Sequence, residues 1–315
     1  MANGTKPRWP RRVLVGTVLL VVAGGAAWAW LTAREAVPEH SDYRIDLAEL
    51  RALAASLPGA APHEIRTQLV AETTLPRAAV FAGDSFAPQP FVHQVFQLRW
   101  TSGEFVLVDL GFTRALGEKM GGSGGTYHAD GFAKVVHAMQ RARQIVVTHE
   151  HFDHLGGASA FEPADGLAGR LRLTSEQLGN VQALDDAGMP AAMRASLTPL
   201  VFDRVVALAP GVVLQKAPGH TPGSQLVYVR TDAGREYLFV GDVAWQLDQL
   251  RHLHYRPRLV TDFFLHENRT QVLAQFRTLY DLMQAHPQVA IVVSHDPEQR
   301  RQLLADGALV DGIVE

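Results

Sequence analysis

The run His149-Glu150-His151-Phe152-Asp153-His154 constrains this chain more than any other stretch of six residues. His149, His151, Asp153 and His154 all carry metal-capable side chains, and they cannot all face one way on a helix or a strand. A tight turn at a strand end accommodates them. Alternating histidines then point one way and the next pair points the other. An apolar stretch at 144–147 supplies the strand before the run, and Gly156-Gly157 lets the chain turn sharply after it. Neutral imidazole and carboxylate hold zinc and other first-row divalent ions. The bland alternative is a solvated, histidine-rich loop.

Three later elements repeat the plan of a strand followed by a candidate ligand. Pro218-Gly219-His220-Thr221-Pro222-Gly223 sets His220 on a rigid turn after an apolar stretch at 212–216. Gly241-Asp242 ends the stretch at 237–240, where a carboxylate can bridge two ions with its two oxygens. Ser294-His295-Asp296 follows the stretch at 289–293. Four loops are thereby brought to one rim of a layered fold, the usual position of a binding site.

The rest of the chain reads as strands and helices in alternation. Strands are expected at 65–71, 78–81, 92–100, 105–110, 144–147, 171–173, 205–208, 212–216, 225–230, 237–240 and 289–293. Helices are expected at 46–57, 130–141, 175–184, 190–198 and 268–285. Gly121 to Gly125 reads as a lid or bend; no Lys-Ser order surrounds it as a phosphate cradle requires. The pattern predicts α/β layers, with helices outside two packed sheets.

The N-terminus reads differently. Residues 1–12 carry Lys6, Arg8, Arg11 and Arg12 and no acid, and residues 13–33 carry no charge at all. Such a run makes about 30 Å of helix, roughly the hydrocarbon thickness of a bilayer. The basic flank places the N-terminus in the cytoplasm and argues against a buried soluble helix. The bulk of the chain then lies across the membrane, on the periplasmic side. Two outcomes stay open: a retained anchor, favoured by length and by the Trp28/Trp30 pair, or a signal peptide. Cleavage after Ala27-Trp28-Ala29 or Leu31-Thr32-Ala33 would release a secreted protein. Residues 34–64 read as a linker with a short helix, and 65–315 as the main domain.

Composition excludes several function classes. At 315 residues and 47% hydrophobic, the chain can build one large core or two modest ones. A net charge of -3 offers no surface for nucleic acid. The absence of cysteine rules out a thiolate nucleophile or a Cys-ligated metal. Nothing in the sequence reports the oligomeric state.

Taken together in order, these motifs resemble the metallo-β-lactamase fold superfamily over roughly residues 65–300. Asp109, at the end of the stretch 105–108, matches that family's structural aspartate. The resemblance implies a four-layer αβ/βα sandwich with its site at one edge of the sheets. It assigns His149, His151 and His220 to a first metal and Asp153, His154 and His295 to a second, with Asp242 bridging both. Asp109 is expected to hydrogen-bond the ligand loops and hold their geometry. The implied cofactor is a pair of divalent ions, zinc first, with manganese, iron or cobalt accepted by the same donors. Water bridging the two ions ionises to hydroxide near neutral pH. It would attack an ester carbonyl, with Asp153 and Asp242 as the catalytic carboxylates. Glu150, lying between two ligands, is expected to point away as a solvent or loop residue.

The bridging Asp242 and the missing cysteine separate the chain from β-lactamases proper. Only 20 residues follow His295, which leaves no room for a glutathione-binding extension. The run His-Glu-His-Phe-Asp-His-Leu-Gly-Gly is closest to the N-acyl-homoserine lactonase-like branch, which implies a small lactone or other carboxylic ester as substrate. The chain has Trp245 where those lactonases usually have Tyr, and Ser224 where they often have His. Trp245, His252, His254 and Tyr255 are candidate substrate contacts; a solvated loop accounts for the last three as well. His40, His63, His93, His128, His137, His266 and His286 read as surface or structural, and Phe81, Phe86 and Phe91 as core before site wall. Two other functions compete: a phosphodiester or sulfuric ester hydrolase using the same site, and a non-enzymatic, membrane-tethered metal-binding protein.

Overall fold

Stretches of β-branched and aromatic residues pair into two sheets, because only a fully covered sheet can bury such continuous apolar strands. In the computed structural model, residues 11–121 and 125–314 are described. The basic segment 1–10 and the centre of the glycine loop, residues 122–124, lie outside the described residues. The first sheet contains β1 (Glu64–Pro76), β2 (Pro88–Arg99), β3 (Phe105–Val108), β4 (Thr126–Tyr127), β5 (Gln144–Val146) and β11 (Val310–Asp311). Its order is β11-β1-β2-β3-β5, with β4 on β1. The second contains β6 (Val205–Ala209), β7 (Val212–Lys216), β8 (Gln225–Arg230), β9 (Glu236–Phe239) and β10 (Val289–Val292), in the order β10-β9-β8-β7-β6.

The two sheets face each other across a core that includes Phe96, Leu98, Val106, Val108 and Val146 from one and Leu214, Val227, Phe239 and Val292 from the other. Phe96 and Phe239 touch across it, with ring centroids 4.7 Å apart. Helix Ala129–Arg141 covers the outside of the first sheet through Phe132, Val135 and Met139. Helix Arg269–Ala285 covers the outside of the second through Val272, Phe276 and Leu279. The layers are therefore α/β/β/α, as expected. The parallel pairs β3–β5 and β9–β10 bring strand ends to one rim.

Several local expectations differ. Of the strand expected at 78–81, residues 78–80 lie instead in a helix, Arg77–Val80, since Ala78 and Ala79 favour helix. The stretch 171–173 makes only the bridge Ile145↔Leu171. The helix expected at 175–184 breaks at Asn180, whose side chain caps a second helix by accepting from Ala183 N.

The segment 34–64 is more than a linker. α2 (Leu47–Ala54), capped by Asp46, buries Leu47, Leu50 and Ala54 against the second sheet. Arg51, bordering that buried face, donates to Glu236 of β9 at 2.7 Å. α1 (Arg11–Thr32) meets the domain at Trp30, and its apolar window Val15–Thr32 has none of its length buried.

Candidate metal centre

Each strand end turns sharply where it reaches the rim. Asp109 follows β3 with φ +63°, a left-handed conformation uncommon for a residue with a Cβ. Its carboxylate explains why the strain is tolerated. Oδ1 accepts from Thr148 N at 2.7 Å, and Oδ2 faces His154 Nδ1 at 2.9 Å. Gly241, after β9, has φ +53°, and a Cβ there would meet Thr148 Cβ at 2.7 Å. Only glycine lets Asp242 reach the rim at that spot.

The sequence-selected donors converge. His149 Nε2 lies 3.2 Å from His151 Nδ1, which lies 3.0 Å from His220 Nε2. On the other side, His154 Nε2 and His295 Nε2 are 3.3 Å apart. Asp153 Oδ2 sits 3.5 Å from the latter. Asp242 divides between the two groups. Its Oδ1 is 3.3 Å from His154 Nε2 and 3.0 Å from His295 Nε2, while its Oδ2 is 3.5 Å from His220 Nε2 and 3.8 Å from His149 Nε2.

These residues fit divalent ions. Four ligands about 2.0–2.1 Å from zinc sit roughly 3.3–3.4 Å from one another at the corners of a tetrahedron. The nitrogen–nitrogen separations match those edges. Asp242 Oδ1 is buried and has no aligned hydrogen-bond donor, as an oxygen kept for a cation would be.

Electrostatics distinguish the two donor groups. Burial, with the neighbouring histidines, pushes His149 well below the ordinary imidazole value, and burial with His220 pushes His151 down to about 3. Both are then neutral and keep a lone pair for coordination. Burial also acts to lower His154, but the carboxylates of Asp109, Asp242 and Asp153 outweigh it and hold it well above the ordinary value. Burial raises Asp242, but the surrounding histidines outweigh it and keep it ionised.

Around this group stand residues that sequence reasoning missed. His93, read as surface or structural, is buried on β2 with Nδ1 3.3 Å from Asp153 Oδ2. A histidine set between the apolar pairs Phe91-Val92 and Val95-Phe96 was the available signal. Glu267 is buried behind His220, 2.6 Å from its Nδ1, and accepts from Arg256 at 2.6 Å and from the Tyr255 hydroxyl. Nothing in the loop sequence marks it. Phe91 stacks on His295 with centroids 5.4 Å apart and meets Trp245 edge-on, so it belongs to the site wall. Phe81 packs in the same apolar group, whereas Phe86 is exposed.

Other expectations are corrected. Glu150 points away from the cluster but is fully buried. It accepts from Thr221 Oγ1 at 2.8 Å and Asn180 Nδ2 at 2.9 Å, tying the two ligand loops together. Trp245 turns its indole N–H onto Asp242 Oδ2 at 2.7 Å and is covered by Arg256, so it positions the carboxylate. Tyr255 is sealed in the interior on Glu267, where no substrate reaches it. His254 Nε2 is engaged by the Ala82 carbonyl at 2.8 Å, and His252 is an exposed residue whose carbonyl accepts from Arg34. Ser224 closes the His220 turn by accepting from Thr221 N at 3.0 Å.

Comparison with known proteins agrees with this geometry. Residues 88–281 match the family described as the metallo-beta-lactamase superfamily. A probable metallo-hydrolase of Mycobacterium bovis is 31% identical over 178 residues, 50% of this chain and 55% of that protein. The chain thus spans about half the length of the curated relatives it matches first. An N-acyl homoserine lactonase of a Bacillus species is 29% identical over 101 residues, 32% of this chain and 38% of that protein. Among solved structures, a quorum-quenching N-acyl homoserine lactone lactonase shares the fold with a TM-score of 0.61 and 16% identity, covering 78% of this chain and 97% of that one. A dizinc quorum-quenching lactonase in complex with a product gives a TM-score of 0.55 at 12% identity, covering 85% and 92%. With one family description matching well over half its length, and the donors of four loops gathered at one rim, the chain belongs to the metallo-beta-lactamase superfamily.

Proposed function

We propose that this chain is a hydrolase that holds two divalent ions and opens a lactone or other carboxylic ester with water. The observation that carries the reading is the division of Asp242. One carboxylate oxygen faces His154 and His295, and the other faces His149 and His220. Such a carboxylate suits two ions better than one. His149, His151 and His220 would hold the first, and Asp153, His154 and His295 the second. Zinc fits this donor set, as would manganese, iron or cobalt. When bound, the ions supply Lewis acidity toward a carbonyl oxygen and bring the pKa of water to about 7.

The chain's own residues prepare the site. Asp109 on His154 Nδ1, Glu267 on His220 Nδ1 and the Val92 carbonyl on His295 Nδ1 fix three rings, so that each Nε2 faces inward. Trp245 holds Asp242. Asp153, 13% exposed, is the most open carboxylate of the group and the one placed to steer incoming water. The lactone preference rests on likeness to proteins named as N-acyl homoserine lactonases.

Metal analysis and a substrate panel test the proposal. The purified chain is expected to carry about two ions and to turn over lactones or aryl esters. Asp242→Ala should lower kcat/KM by more than about 100-fold, some 2.7 kcal/mol. Undiminished turnover in metal-free protein would refute the mechanism. Faster turnover of a phosphodiester or sulfuric ester would move the reading to that bond. A fully metallated chain silent across the panel would favour a metal-binding protein without catalysis.

The same proposal makes α1 a retained membrane anchor, with Lys6, Arg8, Arg11 and Arg12 in the cytoplasm and the hydrolase domain on the periplasmic side. Support comes from the exposure of its apolar window and from the Arg258 guanidinium, which lies 4.8 Å from the Trp30 ring. A chain cleaved after Ala33 would lose that contact. Mass spectrometry of the carbonate-washed membrane fraction should find the residues of α1 still attached.

A further inference from the structure

We propose that the hydrolase domain lies down on the bilayer surface, docking through exposed aromatics beside the end of α1, so that the metal centre stands next to lipid. The inference rests on α1 being a membrane span, and it adds a second, separate contact with the bilayer.

Three polar connections fix α1 relative to the domain. Arg34 donates to the His252 carbonyl at 2.7 Å, and Glu35 accepts from Arg258 at 2.8 Å and from Arg269 at 3.0 Å. The cation of Arg258 also covers Trp30. The short helix Arg258–Phe263 is thus held at the level of the last turn of the span, where tryptophans sit at the membrane–water boundary. Phe263, 59% exposed, lies within about 8 Å of Arg258 along that helix. Phe264, next in the chain, is 73% exposed. A second loop arrives at the same level, since a Cβ on Gly83 would stand 3.9 Å from the Thr32 carbonyl oxygen. That loop carries Phe86, 75% exposed. Three large exposed aromatics thereby sit on the segments that reach the end of α1, an apolar helix left unburied by the described residues. A phospholipid surface is the occupant that continues the surface of α1 without a break.

The segment from Arg258 to Leu265 also reaches the wall of the metal centre. Val260 and Leu265 pack on Phe91 and Trp245. Phe91 stacks on His295, and Trp245 is bonded to Asp242. Two layers of side chains, Val260 with Leu265 and then Phe91 with Trp245, therefore lie between this segment and the metal donors.

The chain has no cysteine, so single cysteines can carry a fluorescent nitrobenzoxadiazole label without background. The full chain would be reconstituted in phosphatidylcholine vesicles, with doxyl-labelled phosphatidylcholine as quencher. Phe264→Cys and Phe86→Cys probe the docking surface, Trp28→Cys probes the span, and Gln302→Cys reports a solvent-facing helix; all four positions are exposed, so the labels do not disturb the core. We expect at least twofold quenching at 264, 86 and 28 and none at 302. Quenching at 28 with positions 264 and 86 behaving like 302 would overturn the docking while leaving the anchor standing. No quenching at 28 would overturn the anchor, and the docking with it.

Discussion

Trp245 shows how one side chain changes role when its surroundings are known. A tryptophan three residues after a candidate bridging aspartate suggests a flat face for a substrate. Its N–H instead points at Asp242 Oδ2, and its face is taken by Arg256. Trp245→Phe keeps the ring and removes that hydrogen bond. Losing such a partner typically costs 10–100-fold in metal affinity or activity, so kcat/KM should fall by roughly tenfold. Trp245→Phe should also release metal to a competing chelator sooner than the unaltered chain. The seven donors were legible because four lie within six residues and the others each follow an apolar strand. His93 and Glu267 were not. Their partners lie 60 and 47 positions away in sequence, and only β2 and the loop before helix Arg269–Ala285 bring them together.

At the scale of elements, the central strands were readable because continuous apolar stretches have few other places to go. Residues 34–64 were not, since a short helix with one apolar stripe gives no sign of what it packs against. α2 makes a testable connection. Arg51 pairs with Glu236 beneath it, and that hydrogen bond, against the opposing effect of burial, holds the Glu236 carboxyl below its ordinary value. A depressed carboxyl stabilises the fold above its unfolded pKa of about 4.3, and the benefit disappears as pH falls through the folded value. Arg51 is over a third exposed, so solvent screening limits the contribution to about 0.5–1 kcal/mol. Arg51→Ala should therefore lower stability at pH 7 by that amount. The difference should shrink below about pH 4 and vanish once Glu236 is protonated in both states. Denaturant titrations at pH 7 and pH 3 measure it; an equal loss at both would place the effect in helix packing instead.

For the whole molecule, the division of labour is between the sheets that build the core and the rim that gathers the donors. His149, His151, Asp153 and His154 follow β5 in the first sheet, while His220, Asp242 and His295 follow β7, β9 and β10 in the second. Ions bound there would join the two halves as crosslinks made only in the folded state. Ligand present at about 100 times its Kd adds roughly 2.7 kcal/mol to stability. Chelation should accordingly lower Tm by roughly 5–10 °C for a domain of this size, and calorimetry before and after metal removal checks it. Proteins that unfold more often are cleared more often, and changes of 1–2 kcal/mol already alter abundance several-fold. A cell starved of divalent metal would therefore carry fewer copies of this chain, and its steady-state level would follow the supply of the ion that holds its halves together.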